Sequence, residues 1–232
     1  MSEFKGFKKE TVKFFKELKK SNTRRWFEDH KQEYETHVKQ PAVEFVEAMG
    51  QELRKIVPAI HAIPKVNQSL FRLNRDTRFS QDKTPYKTNM GIWFWEGMQK
   101  RMECSGFYFH LEEGNIMFGA GLYIIPNHIL KPYRDAVVDP KAGKALKQMA
   151  AKLARSGLEL KGKHYKRIPT GYDASHENAD YLLFKGIHVG VEMKIPDLFY
   201  TPELIGFAGN HYKQMLPLHA WLGSHVLNRN SA

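Results

Sequence analysis

A chain of 232 residues with 42% hydrophobic and 26% charged side chains is long enough to bury a full core and too apolar to be disordered. Its 36 Lys and Arg outnumber 25 Asp and Glu for a formal charge of +11, which favours polyanionic partners. A lone Cys104 excludes an internal disulfide, the N-terminus lacks an apolar signal core, and no apolar run approaches the roughly 18 residues that cross a membrane, so the expectation is a cytoplasmic protein with no membrane partner.

The first sixty residues read as helical. Phe4, Phe7, Thr11, Phe14, Phe15 and Leu18 recur at three- and four-residue steps beneath a lysine-rich back. Ser21-Asn22-Thr23 ends that helix and offers an N-cap to the next, where Phe27, His30, Tyr34 and Val38 form a stripe. Pro41 suits the first position of a third helix that Pro58 stops.

From about residue 68 the period changes to two. Strands are predicted near Thr88 to Trp95, Ser105 to Glu112 and Ile116 to Ile125, with short connections that favour an antiparallel meander. Gly119 and Gly121 inside the last strand point to a close backbone approach or a bulge, and they stay extended rather than opening a nucleotide-binding helix.

Pro132 starts a predicted helix through Val138, and Asp139-Pro140 caps another through Leu153. Residues 156–180 read as loop, Leu182 to Met193 as a strand, and Thr201-Pro202-Glu203 as a helix start, with Pro217 expected to kink or break that helix. The expectation is one α+β domain over 1–232, a largely antiparallel sheet covered by N-terminal, middle and C-terminal helices. Its predicted parts are helices over 1–60, strands over 68–125, helices over 127–155, and a loop, strand and helices over 156–232.

The stretch from Arg72 to Lys87 is the densest in chemistry. Five cations (Arg72, Arg75, Arg78, Lys83, Lys87) and two carboxylates (Asp76, Asp82) fall within sixteen residues, so internal pairing leaves three positive charges unmatched. If residues 70–79 are extended, Arg72, Asn74, Asp76 and Arg78 share one face and Phe71, Leu73, Arg75, Thr77 and Phe79 the other. Arg75 is then the one charge on an apolar face and needs a partner: Asp82, Asp76 reached around the edge, or a bound anion. Thr84-Pro85-Tyr86 reads as a turn.

Three readings stay open. In the first, Arg72, Arg75, Arg78 and Lys83 bind a phosphate-bearing ligand, either a nucleotide or nucleic acid, while Asp76 and Asp82 hold the forks and Tyr86 lines the site. In the second, the same cluster belongs to an enzyme acting on a phosphorylated or carboxylated substrate. In the third, the Arg/Asp network is architectural. No cofactor is implied, and the sequence does not fix an oligomeric state.

Arg72, Arg75, Asp76, Arg78, Phe79, Asp82, Lys83 and Tyr86 follow the pattern Arg-x-x-Arg-Asp-x-Arg-Phe … Asp-Lys-x-x-Tyr. This resembles the signature of a bacterial family of conserved hypothetical proteins, domain-of-unknown-function family 2461. The Asn22 to Phe27 run, Tyr34, the Gly119 to Gly121 strand, Arg134 and Leu160-Lys161-Gly162 extend the likeness over nearly the whole chain. The resemblance implies a single domain of this length and supplies no reaction.

Other constellations are weaker. His30 with His37 and His211 with His219 lack metal-site spacing, so no metal is expected. Cys104, Ser80, Ser105 and Tyr86 are candidate nucleophiles, although a lone cysteine is usually a small buried hydrophobe. Trp93-Phe94-Trp95 before Lys100 and Arg101 could stack bases, but alternation sends at least one of its faces into a core.

Overall fold

In the computed structural model, which describes residues 3–227, helices accompany an antiparallel sheet of five strands, the expected α+β class. The single-domain expectation over 1–232 runs past the described residues at both ends. The strands are β1 (Asn89–Trp95), β2 (Gly106–Glu112), β3 (Asn115–Leu122), β4 (Lys161–Lys163) and β5 (Phe184–Lys194), in the order β1-β2-β3-β5-β4. β4 falls in the stretch predicted as loop. It pairs with β5, Lys161 opposite His188 and Lys163 opposite Phe184. Gly162 permits this, because at its φ of +115° a Cβ would lie 2.1 Å from the Gly186 carbonyl oxygen.

The helices are α1 (Lys9–Lys20), α2 (Arg24–Asp29), α3 (Lys31–Tyr34), α4 (Gln40–Arg54), α5 (Asn127–Val138), α6 (Pro140–Arg155) and α7 (Leu204–Leu222). A π turn over Glu35–Lys39 joins α3 to α4. Phe4 and Phe7, predicted on the first helix, precede it. Gly6 at φ +96° lets the chain lie against residues 200–201, and the Phe7 N–H donates to the Phe199 carbonyl at 3.1 Å.

Pro132 lies inside its helix rather than at the start, and the helix holding Pro217 is not broken there. α5 begins at Asn127 rather than Pro132, and α7 continues through Pro217 to Leu222. Each proline forgoes one backbone hydrogen bond, and burial outweighs that loss. Ile129, Leu130, Tyr133, Ala136 and Val137 are buried on α5, and Leu218 and Leu222 on α7. The expected cap of α6 is present: Asp139 Oδ1 accepts from the Lys141 and Ala142 N–H groups at 3.0 and 2.7 Å.

Backbone contacts group the described residues into two compact units, 3–94 with Tyr108–Phe118 and Glu192–Asn210, and Trp95–Phe107 with Gly119–Val191 and 211–227. The first has an aromatic core in which Phe7 stacks on Phe109 at 5.8 Å and on Phe199 at 4.9 Å, with Phe45 4.8 Å from Phe109. In the second, Phe107 packs on Tyr212 at 5.1 Å, and the Trp221 indole N–H donates to the Ala142 carbonyl at 2.9 Å. In that unit the buried Asn178 amide donates to the carbonyls of Val137 and Gly143, each at 3.0 Å.

Candidate functional site: a groove beside Arg75

The chain ahead of β1 folds back on itself as an irregular hairpin. Leu70 bridges Ile92 and Asn74 bridges Tyr86 in antiparallel fashion, supported by Phe71 N–H to Gly91 O at 3.1 Å, Lys87 N–H to Leu73 O at 2.8 Å and Arg75 N–H to Pro85 O at 2.8 Å. Alternation holds through Thr77, with Leu73 buried and Arg75 and Thr77 half-buried between exposed Arg72, Asn74, Asp76 and Arg78. It fails at Phe79, which is 94% exposed at the hairpin tip. Thr84-Pro85-Tyr86 is therefore the returning limb rather than the turn, because the Pro85 carbonyl and, one residue beyond Tyr86, the Lys87 N–H are engaged across the hairpin. The tip over residues 76–84 is held by side chains: Asp82 Oδ1 accepts from the Thr84 N–H at 2.9 Å, and Asp76 Oδ1 from the Arg78 N–H at 3.3 Å.

Of the partners considered for Arg75, the protein supplies Asp82. The guanidinium donates through Nη1 to the Asp82 carboxylate and the Thr84 hydroxyl. Its side chain is 27% exposed against 77% for Arg78, so Arg75 is the cation that faces inward. Arg78 forks onto Asp76, Nε to Oδ1 at 2.9 Å and Nη2 to Oδ2 at 2.7 Å. These forks draw both carboxyls down: Asp76 well below the usual range, chiefly through Arg78 with a smaller pull from Arg72, and Asp82 to about 2, chiefly through Arg75 and then Thr84.

Lys83 Nζ donates to the Thr77 carbonyl at 2.9 Å. Arg72 is exposed and makes no hydrogen bond or ion pair among the described residues. Tyr86 is 6% exposed, its ring 4.4 Å from that of Phe27, and burial pushes its hydroxyl upward. Its backbone is clasped by Asn22, whose amide donates to the Tyr86 carbonyl at 2.9 Å and whose carbonyl accepts from the Tyr86 N–H at 3.1 Å.

Beside this hairpin lies an open groove of about 470 Å³ lined by Phe71, Arg75, Asp76, Lys87, Asn89, Gly91, Tyr108 and His110. Of the seven residues singled out from the sequence as a site, Arg75 and Asp76 line it, and Arg72, Arg78, Asp82, Lys83 and Tyr86 do not. Lys87 lies 5.5 Å from the centre of the Phe71 ring.

The opposite wall comes from β2. Phe107, Phe109 and Leu111 are at most 1% exposed on its core side, which places Tyr108, His110 and Glu112 together on the other. The Tyr108 hydroxyl is 2.9 Å from His110 Nδ1, and His110 Nε2 is 3.5 Å from Glu112 Oε2. A carboxylate can only accept, so Nε2 carries the ring proton and Nδ1 accepts the phenolic O–H. Gly91 makes room for that hydroxyl, since a Cβ there would stand 2.7 Å from it.

Asn89, Gly91, Tyr108, His110 and Glu112 were not among the residues predicted for a site. The period-two pattern of Phe107 to Glu112 carries the signal, a Tyr-x-His-x-Glu polar face opposite an apolar one.

No curated protein and no solved structure matches the chain. A family model described as a conserved hypothetical protein matches residues 10–221, and the chain belongs to that family, DUF2461.

Proposed function

We propose that the groove binds a phosphate-bearing ligand of nucleotide size. The observation that carries this reading is that Arg75 and Lys87 border the same hollow as the hydrogen-bonding groups of Asn89, Tyr108 and His110. Among the described residues both hydrogen bonds of the Arg75 guanidinium are made through Nη1, which leaves the other N–H groups of the fork for a further acceptor. Asp82 and Thr84 hold the guanidinium in place beforehand, which lowers the ordering cost of binding. A volume of about 470 Å³ suits a small ligand better than an extended strand.

Calorimetric titration with adenosine monophosphate and with inorganic phosphate tests this reading. Lys87→Ala and Asn89→Ala should each weaken binding by roughly tenfold, as loss of a hydrogen bond to a charged group does. No binding of either probe by the unaltered protein would refute it. A steep fall of oligonucleotide affinity with salt would move the assignment to nucleic acid, because each phosphate neutralised adds to the slope.

The hairpin tip supports a second, architectural reading for part of the cluster. Arg78 and Asp76 satisfy one another, and Lys83 caps the Thr77 carbonyl, so these side chains shape the loop that carries Arg75.

A further inference from the structure

We propose that the groove is catalytic, with Tyr108 the nucleophile, His110 its base and Glu112 the residue that positions the imidazole, cleaving a phosphoester whose phosphoryl oxygens rest on Arg75 and Lys87. The inference builds on the reading of the groove as a phosphate site and adds a reaction to it. Its geometric basis is the order of contacts along one strand face: hydroxyl to ring nitrogen at 2.9 Å, then the other ring nitrogen to carboxylate at 3.5 Å. That is the sequence of nucleophile, base and orienting acid by which a weak hydroxyl nucleophile is activated, and such contacts are often looser before substrate arrives. The three residues sit at alternate positions of β2, so one rigid element fixes the order. The absent side chain at Gly91 leaves the space that the hydroxyl occupies.

The chemistry closes in two displacements. The Tyr108 oxygen forms a bond to phosphorus as its proton passes to His110 Nδ1, and Glu112 steadies the resulting imidazolium. The bond from phosphorus to the leaving alcohol breaks, and that alcohol takes the proton from His110. Water then attacks the phosphotyrosine and gives a proton to His110, the Tyr108–phosphorus bond breaks, and the phenolate recovers its proton. The net change is phosphoester plus water to phosphate and alcohol, with Arg75 and Lys87 bearing the charge that accumulates on the phosphoryl oxygens.

The test uses the full chain with p-nitrophenyl phosphate and bis(p-nitrophenyl) phosphate, followed by acid quench and mass analysis of the peptide containing Tyr108. Nitrophenolate release from one of these probes is expected, with a phosphoryl adduct on Tyr108. Tyr108→Phe should abolish release and adduct while weakening adenosine monophosphate binding only several-fold, and His110→Gln should slow release at least a hundredfold. Glu112→Ala should lower kcat more than KM, and Glu112→Asp should recover part of the loss. Release from neither probe, or release that persists in Tyr108→Phe, overturns the catalytic assignment. Retained nucleotide binding alongside either result would leave the binding site standing, whereas loss of both would remove the two together.

Discussion

Ser105 and His219 share a 2.9 Å hydrogen bond in a place where neither is more than 3% exposed. The other ring nitrogen of His219 lies 3.0 Å from Glu96 Oε2, so the imidazole is satisfied on both sides. Burial lowers the His219 pKa, and Glu96 pulls it partly back. The unfolded chain therefore takes up the proton first as pH falls. The stability due to neutral His219 is intact above about pH 6.5 and drains away as pH drops from there through the lowered native value. The Tm difference between the protein and His219→Gln should shrink from pH 7 to pH 5. Ser105→Ala should cost about 1–3 kcal/mol at neutral pH by stranding one ring nitrogen. A pH-independent difference would show that the imidazole does not titrate on unfolding.

Asp82→Asn should loosen the hairpin tip without lowering global stability, because the carboxylate is solvent-facing and ties Arg75 and Thr84 together only locally. Phe79 at that tip is the natural chymotrypsin site. Cleavage after Phe79 should accelerate in the variant while Tm stays near that of the parent, and equal cleavage rates would refute the tethering role. With Asp82 drawn down to about 2, the native pairing persists above the ordinary aspartate range and is lost only as pH falls through about 2.

Gly91→Ala separates function from stability. The new methyl group would meet the Tyr108 hydroxyl at 2.7 Å and the Phe71 ring at 3.1 Å, both on side chains that can shift. The expected cost in folding is at most about 1 kcal/mol, whereas the displaced hydroxyl should weaken adenosine monophosphate binding several-fold. Unchanged affinity measured by calorimetry would argue that Tyr108 does not face the ligand.

Gly121→Ala should be far more damaging. At φ +117° a Cβ would lie 2.3 Å from the Ile187 carbonyl oxygen and 2.8 Å from the His188 Cα, both backbone atoms of the adjacent strand. Left-handed strain and the clash together should cost about 3 kcal/mol. In a chain of this size that corresponds to a fall in Tm of roughly 6–12 °C.

The sequence exposed what depends on local period and missed what depends on packing. The strands β1, β2 and β3, the Asp139 cap and the close approach at Gly121 were all readable, because each is written in neighbouring residues. Pro132 misled, and Pro217 does not break its helix, because the buried faces of α5 and α7 override a local penalty. β4 is too short for its period to register. At the site, charge density drew attention to Arg72 through Tyr86, yet only Arg75 and Asp76 reach the groove. The residues facing them come from β1 and β2 and are ordinary strand positions until pairing brings them alongside. Phe79, placed on the apolar face by alternation, projects outward because the tip at residues 76–84 has left the strand geometry that the alternation assumed.

The Asn22 side chain imitates a peptide group, giving Tyr86 the donor and acceptor that a neighbouring strand would provide across 64 residues of chain. Loop closure on that scale carries an entropic toll that helices α1 to α4, made of local contacts, do not incur. During synthesis the N-terminal helices can therefore consolidate well before Tyr86 finds its clasp, so the hairpin bearing Arg75 should be among the later parts of this unit to assemble and among the first to open under native-state hydrogen exchange.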